Sequence, residues 1–193
     1  MIAEAIAFVL DALFHLFILA ALVRFWMQAL RAPARNPIAQ FSMALTDWAV
    51  KPLRRVIPGL LNLDWASLIV AFAFELALQF LLLLVRGYSP NAEAATVLLF
   101  FSFVKLIRLS IYVFIGAIIV QAVLSWTSPH HPVGPFFQAL TRPFLRPFQR
   151  AIPPIGGVDI TPILVLIALQ LVLILPVTWL ENESARMLGR ALL

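Results

Sequence analysis

Ionisable side chains inside apolar stretches are the residues of this sequence with the most evident chemical potential. Asp11, His15, Glu75 and Arg108 each lie within a long run of apolar residues. Such side chains are costly in a bilayer, and they usually face other helices, where they pair with one another or carry protons and ions. Counting residues from the ends of the runs predicts two interhelical pairs, Glu75 with His15 and Asp11 with Arg108. These pairs are expected either to hold helices together or to form part of a proton or ion path.

Signatures of catalysis are missing from the sequence. There is no H-E-x-x-H, P-loop or G-x-S-x-G motif, and with no cysteine the chain has neither thiol chemistry nor disulfides. One histidine within an apolar run, without a second ligand at a fixed spacing, does not indicate a haem or metal site. We therefore expect no enzyme activity and no cofactor.

A second group of candidate residues is cationic and lies in two polar stretches. A basic side chain near an anionic membrane surface contributes about 1 kcal/mol to binding. The sequence therefore predicts sites for anionic lipid headgroups or for a partner protein, although the same charges would also hold the stretches on one side of a membrane. With no soluble domain to bear them, we expect no nucleic-acid binding. The residues are Lys51, Arg54, Arg55, Arg142, Arg146 and Arg150.

The elements that must position these residues are apolar helices. Hydrophobic residues make up 63% of the chain and charged residues 12%. The apolar residues come in runs of roughly 20, the length that crosses a bilayer core. We predict an all-α membrane protein with four transmembrane helices, of which the first and third are long enough to tilt or to begin at the interface. The predicted helices span residues 5–30, 64–85, 97–126 and 160–180, and no proline falls near the middle of any of them.

An internal repeat joins these helices into two units. Pro37 matches Pro132 at an offset of 95 residues, and the same offset relates Asp64 to Asp159. Each unit reads as an apolar helix, a basic connector and a second apolar helix. We therefore predict two tandem hairpins in parallel orientation. The predicted units cover residues 1–95 and 96–193.

Each connector is predicted to contain an amphipathic helix in the headgroup layer, because apolar residues recur at helical spacing beside cationic ones. In the first connector the apolar residues are Phe41, Leu45 and Trp48. Proline removes a hydrogen-bond donor and clashes with the preceding turn, so Pro52 and Pro147 are expected to end or kink these helices. Proline and glycine turns then lead back to the bilayer, where Asp64 and Asp159 are expected to cap the next helix. The turn residues are Pro58, Pro153, Pro154, Gly156 and Gly157.

The distribution of lysine and arginine predicts the orientation in a membrane. Of the 14 such residues, eight lie in the two connectors and three lie in the segments predicted on the opposite face. By the positive-inside rule, the connectors are expected in the cytoplasm and both termini outside.

The second connector carries a long motif. Residues 136–164 read FFQALTRPFLRPFQRAIPPIGGVDITPIL, and this run resembles the signature of the YggT/YlmG family of small membrane proteins. The first connector keeps the Asn-Pro pair at Asn36-Pro37 but lacks the double proline and double glycine. The second copy is therefore expected to carry any function shared with the family.

The resemblance implies a bacterial inner-membrane or plastid-membrane protein. Relatives in that family are linked to osmotic-stress tolerance, to cell division or nucleoid distribution, and to cytochrome assembly. None of these processes names a reaction.

The expected function is that of a multi-pass inner-membrane scaffold or assembly factor that recruits partners through its two basic, proline-rich cytoplasmic connectors. The alternative is a small transporter or channel-like protein that contributes to osmotic-stress tolerance. Transport needs a continuous polar path or helices broken at mid-depth, and the lack of mid-helix proline favours the scaffold. The expected partners are anionic lipid headgroups and either a membrane-protein partner or further copies of this chain.

Overall fold

A computed structural model describes residues 1–57, 59, 63–152 and 159–192, and within those ranges its regular secondary structure is helical. Seven α-helices follow one another, and the last two are joined without a break by a π-helical turn at Leu173–Val177. The helices are α1 (Ile2–Ala29), α2 (Pro37–Val56), α3 (Trp65–Val85), α4 (Ala92–Thr127), α5 (Gly134–Ala151), α6 (Thr161–Val172) and α7 (Thr178–Ala191).

Four helices are long and apolar enough to cross a membrane, which confirms the predicted all-α membrane fold. They are α1, α3, α4 and the continuous helix formed by α6, the π-helical turn and α7. α4 has 36 residues. At about 1.5 Å per residue it is roughly 54 Å long, well beyond a hydrocarbon core of roughly 30 Å. The excess length agrees with the prediction that the third helix is too long for a straight crossing.

The last membrane helix is longer than predicted and contains a proline near its middle. It runs to Ala191, so Pro176 lies inside it, contrary to the expectation of no mid-helix proline. The π-helical turn accommodates this proline, and Thr178 Oγ1 donates a 2.7 Å hydrogen bond to the carbonyl oxygen of Leu173. α7 persists beyond the apolar run because its buried residues, Leu188 among them, pack against the neighbouring ends of α3 and α4.

Two shorter helices, α2 and α5, form the connectors. The side chain of Asn36 accepts a 3.0 Å hydrogen bond from the backbone nitrogen of Ala39, which caps α2. Pro37 occupies the first position of the helix, where its missing N–H has no helical partner to lose. The Asn-Pro pair of the motif is thus a helix start.

The connector prolines do not end their helices, so the first of the two predicted effects, ending or kinking, is wrong. Pro52 lies inside α2 and Pro147 inside α5, and each helix continues for about one further turn. A proline inside a helix leaves the carbonyl four residues earlier without its donor. Here both prolines and the residues four before them, Trp48 and Pro143, are exposed, so the freed carbonyls lie on an accessible face of the helix.

The buried face of α2 also differs from the predicted stripe. Phe41 is 57% exposed and Trp48 is 65% exposed, whereas small and polar residues face inward. Small residues allow helix backbones to approach closely, and polar ones can bond across an interface. α5 instead buries two residues of its predicted apolar stripe, Phe136 and Leu140. The inward residues of α2 are Ala39, Ser42, Thr46 and Val50.

α2 and α5 lie at the same end of the helix bundle. Ala39 of α2 joins Phe136 and Leu140 of α5 in one buried cluster with Met27 and Phe114. Since both connectors share this cluster, the two hairpins run in the same sense, as predicted for parallel repeats. We call this the connector end of the bundle and the other the distal end.

Candidate functional site

A buried arginine joins the helices of the first hairpin. Arg24 of α1 is 2% exposed. Its Nη1 donates to Thr46 Oγ1 at 3.0 Å and to Asp47 Oδ1 at 2.7 Å. Its Nε lies 3.6 Å from Asp64 Oδ2, an ion-pair distance too long for a hydrogen bond. A guanidinium so removed from water needs such partners, and here they link α1 to α2 and to the start of α3.

Asp64 is the second centre of this network. As predicted, it caps α3, because its carboxylate accepts from the backbone nitrogen of Ser67 at 3.4 Å and from the Ser67 hydroxyl. Arg54 of α2 donates to both carboxylate oxygens, from Nε at 3.0 Å and from Nη2, in the bidentate geometry of strong arginine–carboxylate pairs. Arg54 also donates to Gln28 Oε1 of α1 at 3.3 Å. We call the following residues the first-connector network: Arg24, Thr46, Asp47, Lys51, Arg54 and Asp64.

The charges of the first-connector network keep one another ionised. Burial opposes the ionisation of Asp64, but hydrogen bonds from Arg54 and from the first turn of α3 outweigh it and hold the pKa of Asp64 below its ordinary value. The same contact raises the pKa of Arg54. Lys51 Nζ lies 2.7 Å from Asp47 Oδ2, and this contact, with that of Arg24, lowers the pKa of Asp47.

Two of the six cations predicted to bind headgroups or a partner therefore form ion pairs with carboxylates of the protein itself. Lys51 and Arg54 each have a carboxylate partner. Arg55 is exposed and, among the described residues, pairs with no carboxylate. The binding role of Lys51, Arg54 and Arg55 stays a prediction. Two of these three cations are paired with carboxylates of the protein itself.

The second hairpin carries different residues at the equivalent positions. With the offset of 95 residues, Ile119 stands where the first hairpin has the buried Arg24, and Arg142 stands where it has Asp47. The cation has thus become apolar and the anion has become a cation. The buried ion pair of the first hairpin has no counterpart in the second.

Asp159 bonds the first free amide of α6, although Ile160 is the N-cap residue, and among the described residues Asp159 has no ionic partner. It accepts from Gln149 Nε2 at 2.8 Å, and from the backbone nitrogen and hydroxyl of Thr161 at 2.9 and 2.6 Å. Burial opposes its ionisation, but these hydrogen bonds hold the pKa of Asp159 below its ordinary value. Gln149 takes the position that Arg54 has in the first hairpin, so a neutral donor replaces a charged one.

The three arginines of α5 form a cationic surface that has no carboxylate partner among the described residues. Arg142, Arg146 and Arg150 recur every four residues, and all three are exposed. Residues four apart lie on the same side of a helix. Among the described residues, none of the three pairs with a carboxylate. We call these three residues the α5 arginine face.

Two shallow cavities flank the α5 arginine face. One, of about 470 Å³, is lined by all three arginines together with Leu30, at the end of α1. The other, of about 650 Å³, is lined by Arg142, Arg146 and several amides, including Gln121. The Gln121 Oε1 atom is buried and accepts no hydrogen bond. This surface therefore combines guanidinium groups with amide groups.

The predicted intramembrane pairs are wrong. His15 Nδ1 lies 2.9 Å from the carbonyl oxygen of Asp11 and 3.2 Å from its Oδ2, so this histidine pairs within α1. Glu75 accepts a 2.7 Å hydrogen bond from Gln79 Nε2, one turn further along α3. Glu75 is fully buried rather than facing lipid, but its hydrogen-bond partner is on its own helix.

Arg108 also has another partner than expected. It pairs with Glu181 of α7 and donates to Thr178 Oγ1 at 2.9 Å, and Lys105 Nζ lies 2.5 Å from the same glutamate. Sequence reasoning missed Glu181 because the fourth helix was predicted to end before it. The signal available was the i, i+3 spacing of Lys105 and Arg108, which places both on one side of α4 and calls for an anion opposite.

Another cavity with polar side chains in its lining lies at the distal end. It measures about 700 Å³, and Asp11, His15, Gln79 and Lys105 line it together with the arginines of the distal loop and α7. We call it the polar vestibule. Within the described part of the chain, no three histidine, aspartate or glutamate side chains are grouped closely enough to hold a metal ion.

Several motif residues lie outside the described residues. They are Pro58, Pro153, Pro154, Gly156 and Gly157. Pro132 is described, and it lies in the turn between α4 and α5.

The two hairpins match one protein family. The family described as CCB3/YggT matches residues 3–85 and again residues 100–180, so each match covers one hairpin. The chain belongs to the CCB3/YggT family.

Relatives of this CCB3/YggT chain cover nearly all of it. An uncharacterized protein of Pseudomonas aeruginosa is 35% identical over 96% of this chain and 92% of its own length. An uncharacterized protein of Vibrio alginolyticus is 34% identical over 86% of this chain and 90% of its own length. The uncharacterized protein YggT of Escherichia coli K12 is 32% identical over 88% of this chain and 87% of its own length. No solved structure matches the chain.

Replacing Arg24 by Ile, the residue at the equivalent place in the second hairpin, should lower the free energy of unfolding of this CCB3/YggT protein by about 3–5 kcal/mol. That is the usual cost of removing one partner from a buried ion pair. Titration with sodium dodecyl sulfate in mild detergent micelles measures the change. Arg31→Gln, at an exposed arginine of the same connector, is the control and should change it little. In a double-mutant cycle the cost of Arg24→Ile should fall when Asp47 is already Asn; equal costs contradict a direct coupling.

The first-connector network should weaken in acid. Because the pKa of Asp64 is lowered in the folded protein, its stabilising contribution is present above the ordinary pKa of about 4 and is lost as the pH falls through the folded value. The difference in thermal unfolding midpoint between wild type and Asp64→Asn should therefore hold from about pH 7 to 5 and shrink below about pH 4. Asp159→Asn, at a carboxylate without a cationic partner, should give a smaller difference at neutral pH. A difference for Asp64→Asn that persists unchanged at about pH 2 would contradict the ionic role of Asp64.

Proposed function

We propose that this protein is a multi-pass scaffold or assembly factor of the bacterial inner membrane that engages an acidic partner protein through the α5 arginine face. The observation that carries the proposal is the asymmetry between the connectors. α2 pairs two of its three cations, Lys51 and Arg54, with Asp47 and Asp64, whereas α5 presents three arginines without carboxylate partners among the described residues.

The chemistry of arginine favours a carboxylate-bearing partner. A guanidinium is a planar fork that binds carboxylates through two parallel hydrogen bonds. Four residues along a helix span about 6 Å, so the α5 arginine face presents three such forks at regular intervals. An acidic helix with carboxylates at the same spacing is complementary to it. The flanking cavities supply room for side chains of that partner.

The excess of lysine and arginine at the connector end supports a cytoplasmic location for this surface. Of the 14 such residues, eight lie in the connectors. Under the positive-inside rule, the α5 arginine face then meets partners from the cytoplasm or from the inner leaflet, and both termini lie outside. In this arrangement exposed Phe41 and Trp48 of α2 lie at headgroup level, where aromatic side chains are favoured.

A small transporter linked to osmotic tolerance is the second candidate, and two observations favour it. The last membrane helix contains a π-helical turn at Pro176, and Glu75 is fully buried near the middle of α3. Irregular helices and buried charges are features of transport paths. Against it, the polar vestibule is lined by residues of the distal half of the bundle only, whereas conduction needs a polar path through both halves. The scaffold therefore remains the favoured function.

Photo-crosslinking in native membranes tests the scaffold proposal. A photoreactive amino acid at Pro143, between the α5 arginines, should capture a partner at an acidic segment. The capture should weaken at high salt and in the triple variant Arg142→Gln, Arg146→Gln, Arg150→Gln. With each contact contributing about 1 kcal/mol, affinity should fall roughly a hundredfold.

A charge-matched variant provides the control. Arg31→Gln, Arg35→Gln, Arg55→Gln removes the same charge from exposed positions of the first connector and should leave the crosslink intact. The proposal fails if the two triple variants weaken the crosslink equally. It also fails if the probe captures only lipid, since anionic headgroups would then be the occupant of the α5 arginine face.

A further inference from the structure

Glu75 is a fully buried acid without a cationic partner. It lies near the middle of α3, and its side chain is 0% exposed. Its Oε1 atom accepts a 2.7 Å hydrogen bond from Gln79, and its Oε2 atom is buried with no hydrogen-bond partner. Ala71 and Leu78, one turn away on either side, belong to the main apolar cluster of α1, α3 and α4. Among the described residues, the one hydrogen bond that this carboxyl group accepts therefore comes from an amide, and its neighbours one turn away on α3 are apolar.

The titratable groups that face Glu75 pair with each other or with another acid. His15 and Asp11 face it from α1, and Lys105 faces it from α4. His15 pairs with Asp11, and Lys105 pairs with Glu181. Neither His15 nor Lys105 comes within ion-pair distance of Glu75. An isolated carboxylate in such a place is strongly disfavoured, and it takes up a proton instead.

We propose that Glu75 is a proton-binding site, held as a neutral carboxylic acid that exchanges its proton with the distal surface through the polar vestibule. Gln79 connects the two, because its amide bonds to Glu75 and its side chain also lines the vestibule. Asp11 and His15 line the same cavity and supply groups that accept and release protons. This inference is independent of the proposed scaffold role, since it concerns the other end of the bundle.

Glu181 is an internal control for the charge state. It also lies in a membrane helix, but Lys105 and Arg108 both pair with it, whereas Glu75 has no such pair among the described residues. The two glutamates are therefore expected to differ in protonation at neutral pH. That difference is measurable without knowing the function of the protein.

Infrared spectroscopy of the protein in liposomes at neutral pH tests the charge state. The wild type should have the carbonyl stretching band of a protonated carboxylic acid, which Glu75→Gln removes and Glu181→Gln leaves in place. Glu75→Asp keeps the acid and should retain a band, even if the glutamine variant folds poorly. Identical bands in wild type and Glu75→Gln would overturn the proposal.

Transfer to heavy water tests the route of exchange. The Glu75 band should shift within the time of the measurement in the wild type and at least about ten times more slowly in Gln79→Leu, which removes the bridging amide. Asn91→Ala, at a helix cap away from the vestibule lining, is the control and should exchange at the wild-type rate. Equal rates in wild type and Gln79→Leu would overturn exchange through the vestibule.

A hydrophobic carbodiimide provides a chemical test of the same state. The carboxyl proton moves to one carbodiimide nitrogen, and the carboxyl oxygen bonds to the central carbon. The acyl group then migrates to nitrogen and leaves a stable N-acylurea that retains every atom of the reagent. Mass spectrometry should find this adduct on Glu75 and not on Glu181, since only the protonated acid reacts in an apolar site. Equal labelling of the two glutamates would contradict the proposed difference in charge.

Discussion

The packing of the first hairpin depends on one buried cation, Arg24, which needs polar partners within the protein. Arg24 has almost no contact with solvent, so its charge must be matched within the protein. Thr46 and Asp47 of α2 meet it from one side and Asp64, at the start of α3, from the other. Satisfying this one guanidinium fixes where the connector lies against both membrane helices. It also explains why α2 turns small and polar residues inward and leaves its large aromatic residues outside.

In the second hairpin the connector helix packs against the membrane helices through different contacts. Where the first copy has Arg24, the second has Ile119, and α5 packs through Phe136, Leu140 and Leu145 instead of through charge. An apolar interface needs no counterions, so the polar positions of α5 are free to change. The aspartate that anchors α2 has become an arginine in α5. The two copies thus differ in where their positive charge lies, with a buried arginine of α1 in the first and exposed arginines of α5 in the second.

The two ends of the bundle differ in how their charges are matched. At the connector end, every carboxylate of the first-connector network has a basic partner. Away from that end, Glu181 has two cations while Glu75, near the middle of α3, has none among the described residues, although both lie in membrane helices. The π-helical turn at Pro176 contributes to this inequality, because Thr178 next to it bonds both the Leu173 carbonyl and Arg108. A local irregularity of one helix is thereby coupled to the placement of charge on another.

The sequence by itself determined the four apolar helices, the duplication, the basic connectors and the cap at Asp64, because apolar runs, repeats and capping residues act over short distances along the chain. It did not determine which charges meet. Glu75 was expected to pair with His15, and each instead bonds within its own helix. Pairing depends on helix rotation and on the true length of α7, and both are set by packing among helices. Tertiary structure alone decided that Arg24 is the centre of one connector and that the arginines of the other remain at the surface.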